Sequence, residues 1–325
     1  MIRVDNLVKT YKTYERGNTF KDSVISLFNR KEILVKALNG ISFEIQKGEL
    51  VGFLGPNGAG KSTTLKIMTG ILHPTFGNVN IMGHTPWKDR IKYVAKIGAV
   101  FGQKSQLFWD IPPLDSFYLN KSIYSIPERD FKRTLESMVE LLDLQQLIRK
   151  PTRQLSLGER MKCEFIISML HKPEVVFLDE PTIGLDVIAK DKIREFILEM
   201  NKNGVTFILT THDLGDVERL AKRVIVINYG EIVFDNLIEA LSDLNGNKKI
   251  ITLSTHNRLP DLSMSGINIT KRITDYEIEL ELNMSIISLD HFMGYLNQAV
   301  NIKDINVQEP PIESVIKDLY SRKVN

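Results

Sequence analysis

The chain reads as an α/β protein: a layer of buried, mostly parallel strands covered by helices, followed by a small C-terminal α+β domain. Short apolar runs without polar alternation, Val175-Val176-Phe177-Leu178, Val205 to Leu209 and Val224 to Ile227, fit strands covered on both faces. Helical spacing separates them, as in Ile188 to Met200. Beyond Leu241-Ser242-Asp243 the pattern changes. Tyr276, Ile278, Leu280 and Leu282 alternate with Glu277, Glu279 and Glu281, the mark of a strand with one wet face.

Taken in order, residues Thr13 to Leu34 interrupt an opening hairpin. Phe20, Val24, Leu27 and Phe28 share one face of a helix with Lys21, Asp22 and Arg30 elsewhere, so a short amphipathic helix is expected. It either packs on its own domain or touches a membrane partner or lipid surface. Leu50-Val51-Gly52-Phe53-Leu54 is a buried strand, followed by a helix carrying Leu65, Met68 and Leu72. Residues 112–149 are a mostly helical block opened by Pro112-Pro113, with Phe131, Leu135, Met138, Leu141 and Leu142 at helical spacing. Asn228-Tyr229-Gly230-Glu231 is a hairpin turn into Ile232-Val233-Phe234. A helix near Ile286 to Ala299, a strand near Ile302 to Val307 and a short helix after Pro310-Pro311 complete the chain. The expected domains are 1–240, with a helical subdomain at about 104–170, and 241–325.

Composition removes several classes of function. Lys and Arg number 42 against 40 Asp and Glu, and the charges are scattered, so there is no electrostatic footprint for nucleic acid. The single cysteine, Cys163, rules out an intrachain disulfide and a multi-cysteine metal site, and reads as a small buried apolar residue. No stretch approaches the roughly 18 apolar residues of a membrane span, and Met1-Ile2-Arg3-Val4-Asp5 lacks a signal-peptide core. A cytoplasmic protein is expected, with membrane contact only through a partner.

The chemistry begins at Gly55-Pro56-Asn57-Gly58-Ala59-Gly60-Lys61-Ser62, which matches the phosphate-cradling GxxxxGK[ST] loop and follows a strand, as that loop must. Glycines let successive backbone N–H groups point inward at a polyphosphate. Lys61 supplies charge to the outer phosphates, Ser62 a hydroxyl for Mg2+, and the helix through Thr63 its positive end. The chain therefore binds a nucleoside triphosphate. Leu178-Asp179-Glu180 ends a buried strand, which delivers two carboxylates to the same sheet edge. Asp179 suits Mg2+ through water and Glu180 suits polarising the attacking water, although a strand that simply ends in two solvated acids has the same pattern.

Leu155-Ser156-Leu157-Gly158-Glu159-Arg160, at the start of a helix upstream of that strand, resembles the LSGGQ signature of ATP-binding cassette (ABC) ATPases. Leu157 stands in place of the first glycine and Glu159 in place of the glutamine. The resemblance implies the P-loop NTPase fold of ABC ATPases, with Ser156, the Gly158 N–H and the Glu159 turn contacting the γ-phosphate on an opposite subunit. Gln103 in Val100-Phe101-Gly102-Gln103 is similar to the Q-loop glutamine, which touches Mg2+ and the attacking water and relays to the transporter partner. Asp186 in Pro181-Thr182-Ile183-Gly184-Leu185-Asp186 resembles the D-loop aspartate that reaches across a dimer. His212 in Thr210-Thr211-His212-Asp213 resembles the switch histidine on the γ-phosphate. Tyr11 resembles the aromatic residue that stacks on adenine, with Tyr14 as its rival. Leu107-Phe108-Trp109 is either core or part of the groove for a permease.

The resemblance covers residues 1 to 240. The C-terminal part resembles the extension of ATPases serving ABC-2-type exporters, and Phe101 to Asp110 resembles their viologen- and drug-exporter branch. It implies an ATP-hydrolysing, Mg2+-dependent subunit that drives integral membrane permease subunits as a homodimer or paired with a second ABC ATPase. The competing readings are an importer ATPase, a soluble cassette ATPase acting on ribosomes or DNA, and a nucleotide-gated scaffold without turnover.

Overall fold

The computed structural model describes residues 1–14, 32–102, 104–211, 213–243, 247–260, 262 and 264–321. The polypeptide divides into two compact units, Met1–Asn236 and Leu237–Asn325. In chain order the first runs β1 (Ile2–Tyr14), β2 (Glu32–Ile45), β3 (Leu50–Leu54), α1 (Lys61–Met68), β4 (Phe76–Ile81), α2 (Arg90–Val94), β5 (Ile97–Phe101), α3 (Pro113–Ile123), α4 (Glu128–Leu141) and α5 (Leu157–Met169). It continues through β6 (Val175–Asp179), α6 (Val187–Lys202), β7 (Thr206–Thr210), α7 (Leu214–Leu220), β8 (Arg223–Asn228) and β9 (Glu231–Leu237).

Every residue of β3 and β7 is buried, which is why these strands show continuous apolar runs rather than alternation. They lie in a six-stranded sheet of order β5-β6-β7-β3-β8-β9, with β5, β6, β7, β3 and β8 mutually parallel. The register aligns the strand ends in one row: Phe101 faces Asp179, Asp179 faces Thr210, and Thr210 faces Phe53. An antiparallel sheet of order β2-β1-β4 packs its apolar side, including Ile2, Val4, Leu38 and Phe43, into the same core as Phe53, Leu65, Ile208 and Ile225. Between β5 and β6 come the α-helices α3, α4 and α5, with a single 3-10 turn at Thr152–Gln154 before α5. Pro113 begins α3, and α4 buries Phe131, Leu135, Met138 and Val139 along one stripe.

The opening hairpin differs from expectation. Strand pairing continues through Thr13 opposite Ile33 and Tyr14 opposite Glu32, so both ends of the supposed interruption are strand. The helix expected over Phe20 to Phe28 lies outside the described residues.

The second unit contains α8 (Glu239–Asp243), β10 (Lys248–Thr255), β11 (Ile267–Thr274), β12 (Glu277–Asn283), α9 (Leu289–Ala299), β13 (Ile302–Gln308) and α10 (Ile312–Ser321). Its antiparallel sheet has the order β11-β12-β10-β13. The alternation in β12 turns Ile278, Leu280 and Leu282 inward against Ile251, Leu253, Phe292 and Leu296. The helix α9 starts at Leu289, later than Ile286, because Ser288 caps it by accepting from His291 N at 3.3 Å. Strands β10 and β11 were not anticipated. Almost all of β11 is exposed, so it carries no apolar face to reveal it.

His171, in the turn after α5, ties the helices to the sheet. Its Nε2 donates to Ile97 O at 2.8 Å, and its ring stacks on Tyr124 with centroids 4.0 Å apart. With Nε2 as donor the neutral ring leaves Nδ1 bare, and that atom is buried with no hydrogen-bond partner among the described residues. Burial pushes the His171 pKa below its ordinary 6.5, and the Ile97 carbonyl restores only part of the shift. The unfolded chain therefore takes up this proton first as pH falls, and stability is lost below about pH 6.5 by at most about 1.4 kcal/mol per pH unit. In urea unfolding at pH 7.5 and 5.5, His171→Gln should gain on the wild type at the lower pH. A pH-independent difference would contradict this assignment.

Candidate functional site

The loop between β3 and α1 holds its shape through glycine and internal hydrogen bonds. Gly60 has φ 114°, and a Cβ there would sit 2.7 Å from Ala37 O. It precedes α1 without any side-chain cap, which leaves the first-turn N–H groups for an anion. Lys61 is buried, and its Nζ donates to Gly55 O at 2.6 Å and Pro56 O at 3.1 Å. Burial lowers its pKa, while Glu180 and Asp179 pull it back up. The ammonium is thus poorly compensated, and phosphate oxygens would suit it better than carbonyls. Thr63, the next residue but one, is half-buried in the first turn of α1.

Asp179 closes the sheet side of the site. Its Oδ1 accepts from Ser62 Oγ at 2.8 Å and from Thr210 Oγ1 at 2.6 Å. Glu180 follows with φ 52°, a left-handed conformation that costs a non-glycine residue on the order of 1–3 kcal/mol. Thr210 O holds it there by accepting from Glu180 N at 3.0 Å. Gly102 N donates to Asp179 O at 2.9 Å, and a Cβ on Gly102 would meet Glu180 O at 2.6 Å. Asn57, Gly58, Ser62, Asp179 and Glu180 line one cleft of ≈540 Å3 together with Lys66, Phe101, Gly102, Lys104 and Ile183. Ala59 is buried beneath the loop. Gln103 and His212, both expected at this site, lie outside the described residues. Thr210, Gly102 and Lys104 were not singled out from sequence.

Ser156, Gly158, Glu159 and Asp186 form a second locus. Ser156 Oγ accepts from Glu159 N at 3.2 Å, and the Glu159 carboxylate accepts from Ser156 N at 2.8 Å, a reciprocal cap at the start of α5. This explains a glutamate at 159. Asp186 caps α6 by accepting from Ala189 N at 2.8 Å, and a Cβ on Gly158 would lie 2.8 Å from the Ala189 methyl. Two helix starts therefore lie side by side. Tyr11, on β1 opposite Val35, is partly exposed with Lys9 Nζ 5.2 Å from its ring centre. Leu107 is core, whereas Phe108 and Trp109 are 54% and 55% exposed.

Comparison with known proteins agrees with this geometry. A family model described as ABC transporter matches residues 38–183. An uncharacterised ABC transporter ATP-binding protein of Methanocaldococcus jannaschii is 34% identical over 204 residues, 63% of this chain and 73% of the relative. This chain belongs to the ABC transporter ATP-binding family. The linearmycin resistance ATP-binding protein LnrL of Bacillus subtilis is 29% identical over 299 residues, 90% of this chain and 95% of the relative. Among solved structures, an ATP-binding cassette described as a dimer in a post-hydrolysis state with ADP and Pi superposes with TM-score 0.61 at 25% identity, covering 73% of this chain and 99% of that one. The ABC chain is accordingly an ATP-binding and ATP-hydrolysing transporter subunit with the cassette ATPase fold.

The contact between Gly102 and Glu180 makes a specific demand. Gly102→Ala should lower kcat for ATP hydrolysis about tenfold, a barrier change of about 1.4 kcal/mol, because the methyl must displace the Glu180 carbonyl. Gly294→Ala in α9, where an added methyl meets nothing within 4 Å, is the control and should leave the rate unchanged. Equal rates in the two variants would contradict the contact's role.

Proposed function

We propose that this ABC subunit is the motor of an exporter, working as a head-to-tail pair at the cytoplasmic face of a cell membrane and acting on separate integral membrane permease subunits. The observation that carries the reading is the convergence of Ser62, Asp179 and Glu180 in one cleft at the strand ends, beside the phosphate loop that holds Lys61. Hard oxygen donors at Ser62 and Asp179 fit Mg2+, with Gln103 as a further ligand. Bound Mg2+ would neutralise charge building on the phosphates. Within that site Lys61 and the N–H groups of residues 55–63 hold the phosphates, and Glu180 polarises the attacking water. His212 contacts the γ-phosphate, and Tyr11 stacks on adenine.

Pairing is supported by the second locus. The cap at the start of α5 takes up the Glu159 N–H but not that of Gly158, the group this reading assigns to an anion, and beside it Val187 and Ile188 are 72% and 78% exposed, an apolar surface that a partner copy would cover. In this reading Ser156 and Gly158 reach the nucleotide of the second copy, with Asp186 next to them. Export is supported by the resistance function in the name of LnrL, whose 299 aligned residues exceed the 236 of the first unit. Among the described residues no helix is long and apolar enough to cross a membrane.

Two variants test the reading. Glu180→Gln should slow hydrolysis by at least about 100-fold and, with saturating Mg-ATP, double the mass measured by light scattering. Lys61→Ala should lose nucleotide binding and remain a monomer. A Glu180→Gln protein that stays monomeric and retains no nucleotide would remove the basis for the pair.

A further inference from the structure

Glu164 lies on α5, two turns beyond Ser156 and Gly158, and is only 3% exposed. A buried carboxyl is costly unless donors meet it. Here Ser105 Oγ donates to Oε1, and the Gln106 amide donates to Oε1 and Oε2 at 3.1 and 3.0 Å. Both donors belong to the turn that leaves the nucleotide cleft just after Gly102 and Lys104. That turn is shaped in advance: Leu107 N donates to Ser105 Oγ at 3.1 Å, and Gln106 Nε2 donates to Ala99 O of β5 at 2.8 Å. Burial pushes the Glu164 pKa above its ordinary 4.5, and hydrogen bonds from Ser105 and the Gln106 amide pull it partly back.

We propose that Glu164 is a positioning residue that fastens the signature helix α5 to the turn leaving the nucleotide cleft, so that Phe101, Gly102 and Lys104 set where the Ser156 end of α5 stands. The eight residues from Ser156 to Glu164 span about 12 Å of helix. Cys163, Phe165, Ile166 and Ile167 around Glu164 are all buried, so this part of α5 responds as one body. The inference rests on the reading that Ser156 and Gly158 serve the second copy's nucleotide. It predicts a defect in turnover with nucleotide affinity intact, because the α1 phosphate loop is untouched. A carboxyl that merely satisfied the turn would affect stability alone.

The test measures ATP hydrolysis by the full chain over a range of Mg-ATP concentrations, for the wild type and for Glu164→Ala, Glu164→Gln and Ser105→Ala. Pairing of each is followed by light scattering in the Glu180→Gln background. Glu164→Ala should lose about tenfold or more in kcat with KM for ATP within about twofold of the wild type. Glu164→Gln keeps an acceptor oxygen and should retain about a third of the wild-type kcat or more. Ser105→Ala leaves the buried side chain in place, so it stays informative if Glu164→Ala fails to fold. It should lose about threefold in kcat. Rates within about twofold of the wild type for both alanine variants, or a change confined to KM, would overturn the proposal. If wild-type hydrolysis is normal but the Glu180→Gln chain never pairs, the head-to-tail reading itself falls, and this inference with it.

Discussion

One carboxylate oxygen holds the site together. Asp179 Oδ1 accepts from Ser62 at the start of α1 and from Thr210 at the end of β7, so three chain segments meet at one atom. The parallel register makes this possible by bringing the ends of β5, β6, β7 and β3 into one row. Around that atom, Lys61 is folded back onto its own loop carbonyls, and Glu180 is held in a left-handed conformation. In the proposed site phosphate binding would exchange these partners rather than order a loose loop.

The same economy explains the division into two loci. The cleft is the proposed place for polyphosphate and an attacking water. The capped starts of α5 and α6 lie elsewhere on the surface, with exposed Val187 and Ile188 beside them. In the proposed pair the start of α5, which does not line its own cleft, would meet the nucleotide of a second copy. In the proposed pair neither copy is complete alone, which makes turnover depend on association.

The parts of this architecture that were legible share a physical cause. Buried parallel strands must be apolar throughout, and a phosphate loop needs glycine and lysine at fixed spacing, so β3, β6, β7, β8 and Gly55 to Ser62 could be read directly. Thr210, Gly102 and Glu164 could not. A threonine closing an apolar strand resembles any β-branched residue, and the need for glycine at 102 comes from Glu180 O, 78 positions away in sequence and adjacent only in the sheet. Glu164 interrupts an apolar helix face and gains meaning only from Ser105 and Gln106 across the fold. The exposed strand β11 had no periodicity to betray it, and the opening hairpin extends past Thr13 and Leu34, where the interruption was expected to begin and end.

The central claim is that ATP-driven pairing of this chain acts on a membrane-embedded partner. It is tested most directly by purifying the affinity-tagged Glu180→Gln protein with Mg-ATP from membranes solubilised in mild detergent, and identifying what accompanies it by mass spectrometry. The account predicts stoichiometric recovery of a multi-span membrane protein. Recovery of ribosomal proteins or DNA-bound factors, with no membrane protein, would contradict it.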